Sequence, residues 1–289
     1  MKKKIISVIV GVAGLAAAYF VVSGISHIVY NRPVDNAATE STAETTEQGT
    51  EEAKAAMTED EINEMLAGMK ATETAETATE EQSEVIPVKF EELQAVNPDI
   101  YAWITVPGTV IDYPILQHAS DNTYYLMHNI DGSYGYPGCV YTENMNSKDF
   151  TDNNTVIYGH NMKNGSMFAQ LHKFEDPDFF NENREVLIYL PDEVLHYTIF
   201  AAHVYDDRHL LYSFDFTDPE VYQKYLDSIF STRDMSANID KDVTVTADDQ
   251  IITLVTCIGS QPNNRLLVQA VLTDREPGAE AAQSAVATE

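Results

Sequence analysis

The sequence predicts a mostly β domain over residues 85–275: a barrel of about eight strands with a few short helices and one longer helix between strands 6 and 7. Two observations carry this prediction. Short runs rich in β-branched and aromatic residues recur between Pro, Gly, Asn and Asp clusters, and helical patterns are few. The strongest run, Ile251-Ile252-Thr253-Leu254-Val255-Thr256-Cys257, is β-branched at every one of its first six positions except Leu254, and it reads as a buried strand. It stops at a cysteine. Gly259, Pro262 and the pair Asn263-Asn264 then predict a loop, and Arg265 opens a final apolar strand through Leu272.

The other elements follow in chain order. Phe90 to Val96 predicts a short helix stopped by Asn97-Pro98. Residues 101–106 and 111–117 predict strands around a Pro107-Gly108 turn, and 124–128 one helical turn. Strands are expected at 138–142 and 155–158, a helix at 166–172, and strands at 185–190 and 194–205 around Pro191-Asp192. Asp218-Pro219-Glu220 is a strong helix start, because Asp caps and Pro suits the first helical position. Val221, Tyr222, Tyr225, Leu226, Ile229 and Phe230 then supply its apolar face.

The N-terminus has a different character. Lys2-Lys3-Lys4 precede an apolar stretch from Ile5 to about Ile28, long enough for a membrane span, which needs ~20 residues. The lysines favour a cytoplasmic N-terminus, which places the remainder outside the cell membrane. A cleaved signal peptide would end near Leu15-Ala16-Ala17-Ala18, but the apolar run continues past that point, so residues 1–30 read as an uncleaved single-pass anchor. Residues 31–84 carry fifteen acidic residues against Arg32, Lys54 and Lys70, in a Thr/Glu/Ala background that predicts a disordered stalk. Within it Thr58 and Glu61 form a capping-box pattern, with Ile62, Met65, Leu66 and Met69 on one face. A helix this short is marginal alone and is expected to be transient. Residues 276–289 read as a disordered tail.

Composition excludes several functions. A net charge of −29 is the wrong sign for nucleic-acid binding. Two cysteines rule out a disulfide scaffold and leave Cys139–Cys257 as one conceivable bridge. There is no CxxC or HExxH pattern, and loop acids such as Glu143, Asp149 and Asp152 read as solvated, so no metal or other cofactor is expected.

The chemistry concentrates in two places. Cys257 closes one strand and Arg265 opens the next, so antiparallel pairing would turn both toward one cleft. His160 follows the strand Asn154-Thr155-Val156-Ile157-Tyr158-Gly159 and so ends a strand as Cys257 does. The other histidines lack such a flanking motif.

Together these residues resemble the sortase transpeptidases, and class B sortases most. The resemblance rests on Thr253-Leu254-Val255-Thr256-Cys257, Arg265 and Tyr158-Gly159-His160-Asn161-Met162. It extends to Asn97-Pro98-Asp99-Ile100-Tyr101-Ala102-Trp103-Ile104, to Pro107-Gly108-Thr109 with Ile111-Asp112-Tyr113-Pro114, and to the helix after Asp218, and it spans roughly residues 89–273. Cys139 departs from the pattern, where the family more usually carries a small residue. So does the short Pro- and Asn-rich interval before Arg265.

The resemblance implies a sortase-type barrel in which Cys257 is the nucleophile, His160 the general acid and base, and Arg265 the oxyanion or substrate contact. Thr256 and Asn161 would stand beside them. It implies secreted proteins bearing a C-terminal sorting signal as substrates, cleaved after Thr, and a peptidoglycan precursor or cross-bridge amine as acceptor. A pilin lysine is an alternative acceptor. A non-enzymatic binding barrel, in which the three residues never meet, is the remaining alternative.

Overall fold

The computed structural model describes residues 57–70 and 86–278. Its strands are β1 (Ile100–Thr105), β2 (Asp112–Leu116), β3 (Val140–Thr142), β4 (Asn154–Tyr158), β5 (Glu185–Tyr189), β6 (Glu193–Asp206), β7 (Asn238–Ile239), β8 (Ile251–Ile258) and β9 (Gln261–Pro277). They form one sheet in the order β5-β1-β2-β3-β4-β8-β9-β6-β7, and β5 also pairs with β6. All strands but the two-residue β7 therefore close into an eight-stranded barrel, which removes the sheet edges. β2–β3 and β4–β8 are parallel and the other pairs antiparallel, so the barrel brings the C-terminal ends of β4 and β8 to the same rim.

The middle strands are covered on both faces. Ile252, Leu254, Val268 and Ala270 point into the barrel core with Ile104, Ile115 and Ile157. Ile251, Val255 and Leu267 point outward, beneath the helix Pro219–Phe230, which contributes Tyr222, Tyr225, Leu226 and Ile229. Burial on both faces is why Ile251–Thr256 shows no polar alternation. That helix starts as the sequence predicts, with the Asp218 carboxylate accepting from the main-chain N–H groups of Glu220 and Val221 and Pro219 in the first turn. The polar exceptions are paired. Gln269 donates to the Tyr225 hydroxyl at 2.8 Å and accepts from His203 Nε2 at 3.0 Å, while Thr253 bonds Asn154 at 2.8 Å.

Four features differ from expectation. Residues 259–264 are a bulged hairpin, not a loop: Ile258 faces Gln261 across the two-residue turn Gly259-Ser260, and the register slips so that Cys257 faces Arg265. Pro262 falls in the bulge, where its missing N–H costs no ladder bond. β9 then runs on to Pro277, and Gly278 N–H bonds the Asp192 carbonyl at 2.7 Å, so the fold extends into the segment expected to be tail.

The expected helix at 166–172 is a 3₁₀ run, Phe168–Glu175, followed by the short helix Pro177–Glu182. The run starts at Met167, whose φ of 54° is left-handed and sets the chain direction. The Phe168 ring packs on the bare Cα of Gly159, where a Cβ would lie 2.5 Å from it.

The stretch expected to be a transient helix is docked. Residues Glu59–Met69 form a helix with the complete Thr58/Glu61 capping box. Ile62 and Leu66 are buried in the cluster that holds Leu93, Trp103, Leu116 and Cys139. Met57 N–H bonds Asp131 at 3.0 Å, and Lys70 Nζ lies 2.7 Å from Asp112, which also accepts from the Trp103 indole and the Thr105 hydroxyl. Burial of its apolar face stabilises a helix that its length alone would not.

The predicted anchor at 1–30 and most of the predicted stalk and tail lie outside the described residues. Among the described residues no helix is long and apolar enough to cross a membrane.

Candidate active site

Cys257 lies at the exposed end of an otherwise buried strand. Its neighbour Thr256 points the other way, is 2 % exposed, and donates its hydroxyl to the Gly159 carbonyl at 2.8 Å. Thr256 thus ties β8 to the end of β4. The two cysteines are not bridged: Cys139 is buried against the His128 carbonyl, and loss of solvent pushes its thiol well above the ordinary range, which makes it a poor nucleophile.

His160 is placed by the β4–β8 ladder. Tyr158 faces Val255, and Gly159 N–H bonds the Val255 carbonyl at 3.1 Å, so His160 emerges beside Cys257. Its Nε2 lies 2.7 Å from the Leu126 carbonyl. A carbonyl only accepts, so Nε2 carries the proton and Nδ1 is the basic nitrogen. The Tyr136 ring packs edge-on against the imidazole at 5.2 Å. Burial holds His160 below its usual range, partly offset by the bond to Leu126. The Tyr136 phenol is pushed up, first by burial and then by the neighbouring Cys257, so one side chain spans both residues.

Arg265 is the register partner of Cys257 across β8–β9, and directly paired antiparallel residues project to the same face. That face is the outer one, because the preceding pair Val255 and Leu267 packs under the long helix. Nη1 donates to the carbonyls of Pro262 and Asn264, each at 2.9 Å, which anchors the guanidinium beside the bulge.

Asn161, which the resemblance implies beside these residues, donates its side-chain amide to the Cys257 carbonyl at 2.8 Å. His172, which carries no motif, reaches the same oxygen at 3.1 Å through Nε2 and holds Glu175 through Nδ1 at 2.9 Å. His172 closes the helix expected at 166–172 and Glu175 lies beyond it, so the sequence offers no signal that points either residue to Cys257. Tyr136 and the Leu126 carbonyl carry no signal in the sequence either. Glu143, expected to be solvated, is buried and pairs with His209 at 2.8 Å; Asp149 and Asp152 accept bonds within their own loop.

The chain is similar to known proteins of one family. The profile of the family described as Sortase domain matches residues 104–273. Sortase B of Listeria monocytogenes is 33 % identical over 215 residues, covering 73 % of this chain and 85 % of that protein. The crystal structure of sortase B from Bacillus anthracis superposes with a TM-score of 0.61 at 31 % identity, covering 76 % of this chain and 99 % of that one. A Staphylococcus aureus sortase B–substrate complex superposes with a TM-score of 0.57 at 27 % identity, covering 64 % and 85 % of the two chains.

Proposed function

The chain belongs to the sortase family as a class B cysteine transpeptidase, and we propose that it cleaves a C-terminal sorting signal of secreted proteins after Thr and transfers the acyl group to a cell-wall amine. Family membership removes the reading as a non-enzymatic binding barrel. The observation that best supports the assignment of roles is the register pairing of Cys257 with Arg265, with His160 emerging from the adjacent parallel strand.

In the first half-reaction the Cys257 thiolate attacks the scissile carbonyl carbon and forms the C–S bond. The C–N bond breaks, and protonated His160 gives its proton to the departing amine. An imidazole held below its usual proton affinity is the stronger acid for this step. In the second half an amine attacks the thioester, His160 takes the amine proton, and Cys257 leaves as thiolate. Arg265 offers fixed N–H donors to the oxyanion that develops in both halves.

The substrate class is supported by the substrate-bound Staphylococcus aureus relative. Placement outside the cell on a membrane anchor is supported by the lysines at 2–4 and the apolar stretch at 5–28. The test is incubation with a library of sorting-signal peptides and competing amines, followed by product masses. A peptide cut after Thr and joined to a wall-type amine supports the proposal. Preferential transfer to a lysine side chain of a pilin would replace the acceptor assignment, and no cleavage of any sorting peptide would overturn the substrate class.

A further inference from the structure

We propose that His172 and Glu175, acting with Asn161, are positioning residues that clamp the main-chain carbonyl of Cys257. The inference rests on the reading of Cys257 as nucleophile. It begins with the ladder between β4 and β8, whose last regular bond runs from Gly159 N–H to the Val255 carbonyl. Parallel strands repeat this bond every second residue, so the Cys257 carbonyl would next meet the N–H of residue 161. The chain turns away there, since Asn161 pairs instead with Met167 across the His160 loop. The Asn161 side chain supplies the missing donor at 2.8 Å.

His172 supplies the second contact. Its Nε2 lies 3.1 Å from the Cys257 carbonyl and 3.0 Å from Asn161 Nδ2, and its Nδ1 lies 2.9 Å from Glu175 Oε2. Glu175 accepts from Nδ1, so Nδ1 carries a proton. A neutral ring then accepts one Asn161 hydrogen at Nε2, which aims the other at Cys257. A charged ring donates from Nε2 to Cys257 directly. The charged ring thus bonds the nucleophile's carbonyl itself, and the neutral ring acts on it only through Asn161.

On its other side Cys257 pairs with Arg265, and the β8–β9 register slips immediately beyond it, between Cys257 and Ile258. The clamp therefore restrains the end of β8 at the point where regular pairing stops. A surface-lying pair such as His172–Glu175, with side chains 23 % and 43 % exposed, contributes little to global stability. Misplacing a reacting atom by about 1 Å, in contrast, costs ~10²-fold in rate.

The test uses the folded chain with His172→Ala, His172→Gln and Glu175→Gln. The readouts are kcat and KM for peptide cleavage, the alkylation rate of Cys257 by iodoacetamide, and Tm. His172→Ala is expected to lower kcat about 10- to 100-fold with KM within about threefold, and to change the alkylation rate with little change in Tm. Glutamine keeps an N–H donor and a carbonyl acceptor, so His172→Gln should recover most of kcat, and Glu175→Gln should fall between. Unchanged kcat and alkylation in His172→Ala, or a kcat loss that only tracks Tm and that Gln fails to rescue, would overturn the proposal. Should His172→Ala not fold, the Gln variants carry the same comparison. The alkylation arm needs no substrate, so an enzyme that cleaves no sorting peptide would count against the substrate reading and still report on the clamp.

Discussion

Cys257 and Arg265 face one another across the β8–β9 hairpin, the last regular pair before the bulge. The pairing fixes the Arg265 Cα relative to the thiol, and two main-chain carbonyls hold Nη1. Lysine at this position keeps the charge but loses the planar set of donors. Arg265→Lys is therefore expected to lower kcat/KM by about 10²–10³, the usual cost of one oxyanion donor, with Tm nearly unchanged. Turnover within about threefold of wild type, only ~0.65 kcal/mol, would remove Arg265 from the reaction.

The two thiols should behave oppositely. Cys257 is exposed, while burial suppresses the Cys139 thiolate. Iodoacetamide should label the native protein at Cys257 alone. Cys257→Ala should abolish cleavage and transfer, and Cys139→Ala should retain activity. Labelling at Cys139 in the native state would contradict this assignment.

Acid should destabilise the protein before its carboxylates titrate. His160 and His203 are both held below 6.5, mainly by burial, so between those lowered values and 6.5 the unfolded chain binds more protons. Their neutral-state stabilisation is complete above 6.5 and is lost as pH falls through the folded values. Aspartates such as Asp121 and Asp131 are lowered from 3.8, so their contribution is lost only at still lower pH. Tm should thus decline as the pH falls below about 6.5, and His203→Gln should flatten that slope. An unchanged slope in the variant would show that His203 is not its source.

The docked helix Glu59–Met69 should support both stability and turnover. Ile62, Asn63 and Leu66 line one cavity with Pro137, Cys139 and Met167. Pro137 follows the Tyr136 that packs on His160, and Met167 pairs with Asn161. Leu66→Ala should cost about 2 kcal/mol of stability. A chain starting at residue 86 should melt lower and turn over peptide more slowly than one starting at residue 57. Equal Tm and turnover would make the docking incidental.

Much of the barrel was legible because its strands are short, β-branched and separated by Gly/Pro turns, and the long helix announced itself through Asp218-Pro219-Glu220. Cys257, His160 and Arg265 stood out because each flanks a strand end. The bulge at 262–264 was not legible, since Pro and Asn in a strand bulge look like Pro and Asn in a loop. Nor was the role of Asn161 or His172, whose contacts to the Cys257 carbonyl span 96 and 85 residues. Those contacts exist only once β4 and β8 pair, and nothing local encodes them. The helix at 59–69 was legible as a pattern but not as a docked element, because the surface that receives it is assembled from β1, β2 and the segment around Cys139.

The central claim is that Cys257 carries the acyl group between cleavage and transfer. The direct measurement is the intact mass of the enzyme trapped during turnover of a sorting-signal peptide without acceptor amine, followed by mapping of the modified residue. The account predicts a thioester-linked adduct with the mass of the peptide up to and including Thr, located on Cys257, discharged by added amine and absent from Cys257→Ala. An adduct on any other residue, or amine transfer by Cys257→Ala at the wild-type rate, would contradict it.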